Sequence, residues 1–533
     1  MVRVLEIALE IVLSASRDRI ADDRHSRDRT TTALAKTLAD ALPQLIAVSC
    51  EKERVTTITF DQDARLTRAG WRVAVETRGD RQQVVVSNRQ RCTPGITTLT
   101  SIFEAPLDAS GFATSLFDTA PEPFREVLAA AGVPVPAAEL HGERSCWRWT
   151  RDGIDAELIL DAGLHDPNHA GDESPWPNEL RVRVPWPEGS DDAPIVDTLF
   201  ACAHDLVDAL PSSVCAFVRM TDALERAAGR HERGLAGDDE AVRAEPVDLG
   251  GVTTADAALV VIGRNISAQW FGNDAFVHDS ARTEFIHQMR VAQRRLSTAM
   301  RIFSHWQDAM WAERIKPDLK WLGGLLGDAR DLDVFVESTL AALAAADTDA
   351  ARWDAVREEA ETARRAARER VREALASPRY AHVALAWLQW LAALARRTRA
   401  DAGNARPLHA HAARRVRRYY SRLARTQKLT AIDESSRHLA RINAKYLRYT
   451  LEFFESITSR RTRTETVRTL TRLQTVLGDG NDAAVALRFL QMMEVEPYQI
   501  GFARGWCEAV KRYTAREGER LLRELHKPKV SGG

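Results

Sequence analysis

Several things this 533-residue sequence lacks narrow its reading before any motif does. Six cysteines, Cys50, Cys92, Cys146, Cys202, Cys215 and Cys507, are scattered without C-x-x-C spacing. That leaves neither a disulfide framework nor a cysteine zinc site, and predicts reduced, mostly buried thiols. No apolar run approaches the ~20 residues of a membrane span. The opening MVRVLEIALEIVLS carries acids inside its apolar stretch, unlike a secretory signal. An excess of one charge is missing too: 74 Lys and Arg against 75 Asp and Glu give −1. A globally basic nucleic-acid coat is excluded, although a sum says nothing of local patches. These absences point to the cytoplasm. What remains, 45% hydrophobic and 28% charged residues, is ordinary for soluble globular protein, and the length allows about two to four domains.

The chain changes character midway. Leu5, Ile7, Leu9, Ile11 and Leu13 alternate as in a strand with one core face. RVTTITFD, WRVAVETR, RQQVVVSN, DAELILD and NELRVRVPW are further predicted strands, and RTTTALAKTLADALPQLI, PEPFREVLAAAG and VDTLFACAHDLVDAL predicted helices. The first part, 1–225, is therefore expected to be an α+β domain. A polar, Gly-rich stretch makes 226–251 a linker, and 252–530 reads as all helical. Within it REEAETARRAARERVREALAS reads as a solvated helix laced with ion pairs.

The helical part contains a repeat. HQMRVAQRRLSTAMRIF from His287 and HLARINAKYLRYTLEFF from His438 align at an offset of 151. The same shift carries LKWLGGLLGDARDLDV onto LTRLQTVLGDGNDAAV, placing Gly327, Asp328 and Asp331 on Gly478, Asp479 and Asp482. At about 100° per residue, His287, Arg290, Arg294 and Arg301 fall in one sector, opposite Met289, Leu296 and Phe303. His438, Arg441 and Lys445 form the second column, continued by Tyr449. A third helix spaces His411, Arg414, Arg418, Arg422 and Arg425 alike. A single such column reads as a solvated face. Three such columns, two of them at duplicated positions that would converge about a pseudo-two-fold axis, read instead as a basic groove that calls for a polyanion. Few aromatics interleave the cations, which argues against single-stranded nucleic acid. The bland alternatives are a buried histidine bonded to a carbonyl for His287 and His438, and helix caps or ion pairs for Asp328 and Asp331.

H-x-x-R-x-x-x-R at His287, H-x-x-R-x-x-x-K-x-x-R-Y from His438 to Tyr449, the two L-G-D-x-x-D segments and SPRYAHVALAWLQWL from Ser377 resemble the CHAD family, the conserved histidine α-helical domain. The resemblance implies two pseudo-symmetric helical bundles around a basic cleft that binds inorganic polyphosphate. It gives ligand-facing roles to His287, Arg290, Arg294, His438, Arg441 and Lys445, with Arg301, Arg448, Arg414 and Arg418 as further candidates. Some members sit on polyphosphate or polyhydroxyalkanoate granules in bacteria.

The first part resembles the CYTH domain, an antiparallel β-barrel known as a triphosphate tunnel. That family opens on E-x-E-x-K, where this chain has Glu6, Ala8 and Glu10. Phe60, Asp61, Leu66 and Gly70 fit a later pattern whose two arginines fall on Ala74 and Glu76. The closing E-x-E-x-E reads Glu179, Arg181, Arg183, while Arg144 and the segment Asp161-Ala-Gly163 survive. The expectation is a non-catalytic domain with no cofactor. The alternative is an inorganic triphosphatase using Mg²⁺, with the helical part as an appendage. A third reading gathers His287, His438, Asp328, Asp331 and Asp333 into a metal-dependent phosphohydrolase site.

Overall fold

The computed structural model describes residues 3–13, 24–48, 53–93, 95–107, 114–167, 178–220, 226, 240–400, 406–426 and 428–531. They form two compact units: residues 1–240 with 375–393, and 241–374 with 394–533.

The first unit is built on ten antiparallel strands: β1 (Arg3–Leu13), β2 (Leu45–Ala47), β3 (Glu53–Asp61), β4 (Trp71–Arg78), β5 (Arg81–Thr93), β6 (Ile96–Pro106), β7 (Val135–Arg151), β8 (Ile154–His165), β9 (Asn178–Trp186) and β10 (Val214–Arg219). Eight of them close in the order β1-β6-β5-β4-β3-β7-β8-β9, with β9 returning to β1. Closure removes the unpaired edges an open sheet would expose. β1 is long enough to serve three neighbours: β9 along one side, and β6 then β10 along the other.

Strand period explains how the barrel carries two environments. Leu5, Ile7, Leu9 and Ile11 are at most 2% exposed on one face of β1. Glu6 and Glu10 lie on the other face. Similarly Trp71, Val73 and Val75 of β4 pack with Val84, Val86 and Phe124, whereas Arg72, Ala74, Glu76 and Arg78 line the lumen. Each fully buried aliphatic side chain contributes about 1.5–3 kcal/mol to that outer core. Helices cover it: α1 (Arg24–Ala41) packs on β8, α2 (Glu122–Ala131) carries Phe124 to within 5.1 Å of Trp71, and α3 (Asp192–Ala209) lies on β1, β8 and β9. The β7–β8 hairpin closes through Asp152 (φ 50°) and Gly153 (φ 78°), a left-handed pair that an Asp-Gly turn supplies at little cost.

The second unit is helical: α4 (Ala255–Phe271), α5 (Thr283–Ile302), α6 (Lys316–Val334), α7 (Asp354–Leu375), α8 (Pro378–Ala400), α9 (Leu408–Ala424), α10 (Glu434–Phe453), α11 (Val467–Met492) and α12 (Pro497–Glu524). Of α8, residues up to Ala393 cluster with the first unit. Thr254 starts α4 by accepting the Ala257 N–H at 3.2 Å. The offset of 151 recurs element by element. α5 maps onto α10, the short turn Ser304–Trp306 onto Glu455–Ile457, the π-helical turn Trp311–Ile315 onto Thr462–Thr466, and the start of α6 onto that of α11. α5 packs between α4 and α6, α10 between α9 and α11, and α5 meets α10.

Two local expectations change. Of the expected linker, residues 227–239 lie outside the described residues, as does Cys50. Val247 and Leu249 are buried, however, and Asn273 clasps Val242 by bonds of 3.0 and 2.9 Å, so this end packs on the helical unit. Gly327, Asp328 and Asp331 begin no new helix; they lie inside α6, whose backbone bonds run through them, so Asp328 caps nothing. The charged helix α7 does carry i,i+3 pairs such as Arg357–Asp354 at 3.0 Å. Its Arg364 and Arg368 instead reach the fully buried Asp333, at 3.1 and 2.8 Å.

Candidate functional site

Two places collect charge, and they differ in how it is compensated. The barrel lumen holds a cavity of 460 Å³ lined by Arg72, Glu76, Arg144, Asp161, Glu179 and Arg181 among others. Register sets Glu6 opposite Arg183, Ala8 opposite Arg181 and Glu10 opposite Glu179. Arg183 donates to Glu6 at 2.7 Å and Arg89 lies 3.4 Å from it. Arg144 grips Asp161 with both Nε (2.6 Å) and Nη2 (2.9 Å), reaches Glu76 at 3.3 Å, and Arg181 adds a third donor to Asp161. Burial raises the Asp161 and Glu76 carboxyls, but their arginines outweigh it and hold each at about 2. Each of these carboxylates is thus spent on a guanidinium. Among the described residues no three His, Cys, Asp or Glu side chains converge to hold a metal ion, and the lumen acids do not fit one. Arginines at 181 and 183 stand where the tunnel pattern has acids, and they close internal ion pairs.

The helical unit is the reverse. Apolar positions of α5 and α10 (Met289, Leu296, Ala440, Leu447, all 0% exposed) hold the helices in the core. The opposite sectors then bring Arg290, Arg294, Arg441 and Lys445 together, each half-buried. Among the described residues no carboxylate lies within ion-pair distance of any of the four, and the Arg294 Nε is buried with no hydrogen-bond partner. Mutual repulsion leaves its mark. Burial, then Arg294, Arg441, Arg290 and Arg301, push the Lys445 ammonium down to about 8. Burial and Arg294 likewise lower Arg290. Arg301, further along α5, is exposed and lies over the Tyr446 ring of α10 at 4.8 Å, with Lys445 over the same ring at 5.4 Å. His287 is half-buried, its Nδ1 unpartnered; burial followed by Arg330, Arg294 and Arg243 brings it down to about 4, so it is neutral at pH 7. It is not the carbonyl-bonded histidine of the bland alternative.

Acids are near but not in contact. Asp331 and Asp482, equivalent under the repeat, face Arg290 and Arg441 at longer range. Burial first, and each other's charge after it among the causes for Asp331, raise that carboxyl; burial raises Asp482. α6 contributes through what it omits as well. A Cβ on Gly327 would stand 3.2 Å from Arg290 Nη2 and 3.4 Å from its Cζ, so the missing side chain is the seat of the guanidinium.

Other candidates go elsewhere. Arg295, next to Arg294 in sequence, is fully buried and bonded to Glu452 (2.8 Å), Gln269 (2.9 Å) and Asn265 (2.7 Å). His438 is exposed near the start of α10. Arg448 stacks on Tyr449 at 4.5 Å and donates to Glu452 at 3.3 Å. Tyr449 itself is buried, 1% exposed, with its hydroxyl unpartnered and near enough to Arg290 and Arg441 to act on their charge. His411 stacks on Phe303 at 4.9 Å inside the core, while Arg414 and Arg418 are exposed on α9. Asp333, held by Arg364 and Arg368, stands apart from the phosphohydrolase set of the third reading. Sequence reasoning missed Arg330, Arg243 and Tyr446; Arg330, inside the repeated L-G-D-x-x-D segment, was the one with a signal.

The described residues thus form a closed antiparallel barrel and a duplicated helical unit in which Arg290, Arg294, Arg441 and Lys445 have no carboxylate within ion-pair distance. Residues 262–491 match the family model of the CHAD domain, and this part of the chain is a CHAD domain. The crystal structure of the CHAD domain from the plant Ricinus communis is similar at 26% identity and a TM-score of 0.47, covering 55% of this chain and 99% of that one. PptA from Streptomyces chartreusis is similar at 19% identity and a TM-score of 0.35, over 51% and 99% of the two chains. HpAC1 from Hippeastrum, a putative adenylyl cyclase described as having a dominant triphosphatase activity, is similar at 12% identity and a TM-score of 0.27, over 42% and 95%. No curated protein matches by sequence. No described helix is long and apolar enough to cross a membrane.

Proposed function

We propose that the helical unit binds inorganic polyphosphate in the cleft between α5 and α10. The observation that carries this reading is the set of four half-buried cations with no carboxylate in reach, supplied by both copies of the repeat. Holding them together with acids only at longer range is unfavourable, and a chain of phosphates relieves it. Arginine forks suit phosphate oxygens, and the neutral His287 adds a hydrogen-bond donor without further repulsion. Arginine-paired lumen acids weigh against the triphosphatase reading, so binding rather than hydrolysis is the activity proposed. Polyphosphate or polyhydroxyalkanoate granules are the proposed setting.

Titration of long-chain polyphosphate into the full chain, across salt and pH, tests this. Affinity falls roughly 50- to 300-fold between about 50 and about 200 mM salt, as release of four to six counterions requires. The pH sign follows from Lys445. Phosphate raises its pKa from about 8, so the complex holds the proton that the free protein loses above that pH. Binding takes up protons at pH 8–9 and weakens as pH rises, by up to roughly tenfold per pH unit. Lys445→Arg binds at pH 7 and loses this pH dependence. A folded chain that ignores polyphosphate at low salt would leave the cations as a structural seam.

Gly327→Ala separates helix stability from binding. Alanine inside α6 stabilises the helix by about 0.5–1 kcal/mol. Its methyl pushes on the Arg290 guanidinium, and polyphosphate binding weakens roughly threefold. Thermal unfolding and titration of the same variant should therefore move in opposite directions; tighter binding would remove Gly327 as the seat.

A further inference from the structure

Away from α5 and α10, the outer face of α9 and the C-terminal segment after α12 border a second, half-open cavity, of 380 Å³. Its walls are fixed independently. Ala410, Ala413, Arg414 and Arg417 share one face of α9 by helix spacing. The C-terminal segment is tied on its other side by backbone bonds: Ser459 N–H to Lys529 O (3.0 Å), Lys529 N–H to Thr462 Oγ1 (2.9 Å) and Ser531 N–H to Ile457 O (2.8 Å). Lys527 and Pro528 are thereby held over the helix. Val416 (2% exposed), Pro528 and Tyr420 supply apolar surface. Arg414, Arg417 and Lys527 line the same cavity, and among the described residues none of them has an acid within ion-pair distance. Arg414 and Arg417 are exposed beside this apolar floor, so an anion that carries an apolar body can engage both at once.

We infer that this cavity is a separate site for a small organic phosphate, a phosphomonoester carrying a short aliphatic body. Two guanidinium forks and an ammonium match the charge and oxygen geometry of a dianionic phosphate better than a single carboxylate. The volume is that of a small-molecule pocket, walled on one side by the C-terminal segment and open to solvent on the other. Since the cavity shares no residue with the α5–α10 cleft, its occupation is independent of polyphosphate.

The test is calorimetric titration of the full chain with hexyl phosphate, inorganic phosphate and hexanoate, and co-sedimentation with phosphatidic acid vesicles. Hexyl phosphate is expected to bind at least roughly tenfold tighter than either small anion, since each lacks one half of the match. Arg414→Ala/Arg417→Ala, two exposed positions whose loss leaves the core intact, weakens hexyl phosphate at least roughly tenfold. Ala413→Trp fills the cavity while keeping every cation, and abolishes hexyl phosphate binding alone. Arg290→Ala/Arg441→Ala leaves it unchanged. Equal affinity for hexyl and inorganic phosphate, hexanoate binding as well as the ester, loss in the cleft variant instead, or binding to vesicles without the free ester would each overturn the inference.

Discussion

Replacing Arg290 and Arg441 together by alanine lowers affinity for long-chain polyphosphate by on the order of 10²- to 10⁴-fold at low salt, measured by titration of the full chain. Each guanidinium makes charge-assisted bonds of about 1.5–3 kcal/mol in a half-buried setting, and about 1.4 kcal/mol is tenfold. Both arginines occupy equivalent turns of the repeat, one on α5 and one on α10. If the two faces make one cleft, the single variants each lose part of the affinity and the double loses most of it. The salt dependence also becomes shallower, by the counterions no longer released. Stability moves the other way: removing two cations that repel Arg294 and Lys445 leaves the fold as stable as before or more so. A double variant that binds like the parent sinks the cleft reading. One that binds less only because it unfolds is excluded by its unfolding curve.

Asp161→Asn produces the largest loss of stability. Asp161 accepts from both Arg144 and Arg181 and is 6% exposed. The asparagine keeps the shape but takes from two buried guanidinium groups their closest anion, leaving Glu76 at 3.3 Å from Arg144 and Glu179 at 3.6 Å from Arg181, at a cost of about 3–5 kcal/mol. Hydrogen exchange of the β7 and β8 amides reads this locally and is expected to quicken by roughly two to four orders of magnitude if it follows barrel opening. The pH dependence has a definite sign. The folded carboxyls of Asp161 and Glu76 lie at about 2, below their ordinary 3.8 and 4.5. Their contribution is therefore complete above about pH 4.5 and disappears as pH falls toward 2. Acid destabilises the parent barrel over that window, and Asp161→Asn has less left to lose. A change under about 0.5 kcal/mol would mean the lumen is wet enough to screen these charges.

The strands the sequence revealed are those whose two faces differ. NELRVRVPW is β9 to the residue, and WRVAVETR is β4. The strands it hid are β2, where the expected first helix ran on through Leu45 and Ile46, and β6, β7 and β10. Every residue of β10, VCAFVR, is buried, so no alternation survives. β7 mixes Gly142 and charges that face a polar lumen, and β6 is rich in threonine. α5 and α10 were legible because a duplicated helix states its period twice.

The cleft shows where such reading ends. The sequence by itself determined that two helices carry cations at the same offset, and that apolar residues opposite them must face a core. It could not decide which cations are unpaired. Arg294 and Arg295 are neighbours, yet one turn of about 100° sends them to different surroundings. Arg295 meets Glu452, which lies 157 positions away, together with Gln269 and Asn265, and becomes part of the core. Arg294 meets Arg441 and Lys445 and stays uncompensated. In the barrel the same chemistry ends oppositely, because strand register places an acid beside each critical arginine. Charge is written in the sequence, but compensation depends on distances that only the folded chain sets, and an uncompensated cation is what an anion recognises.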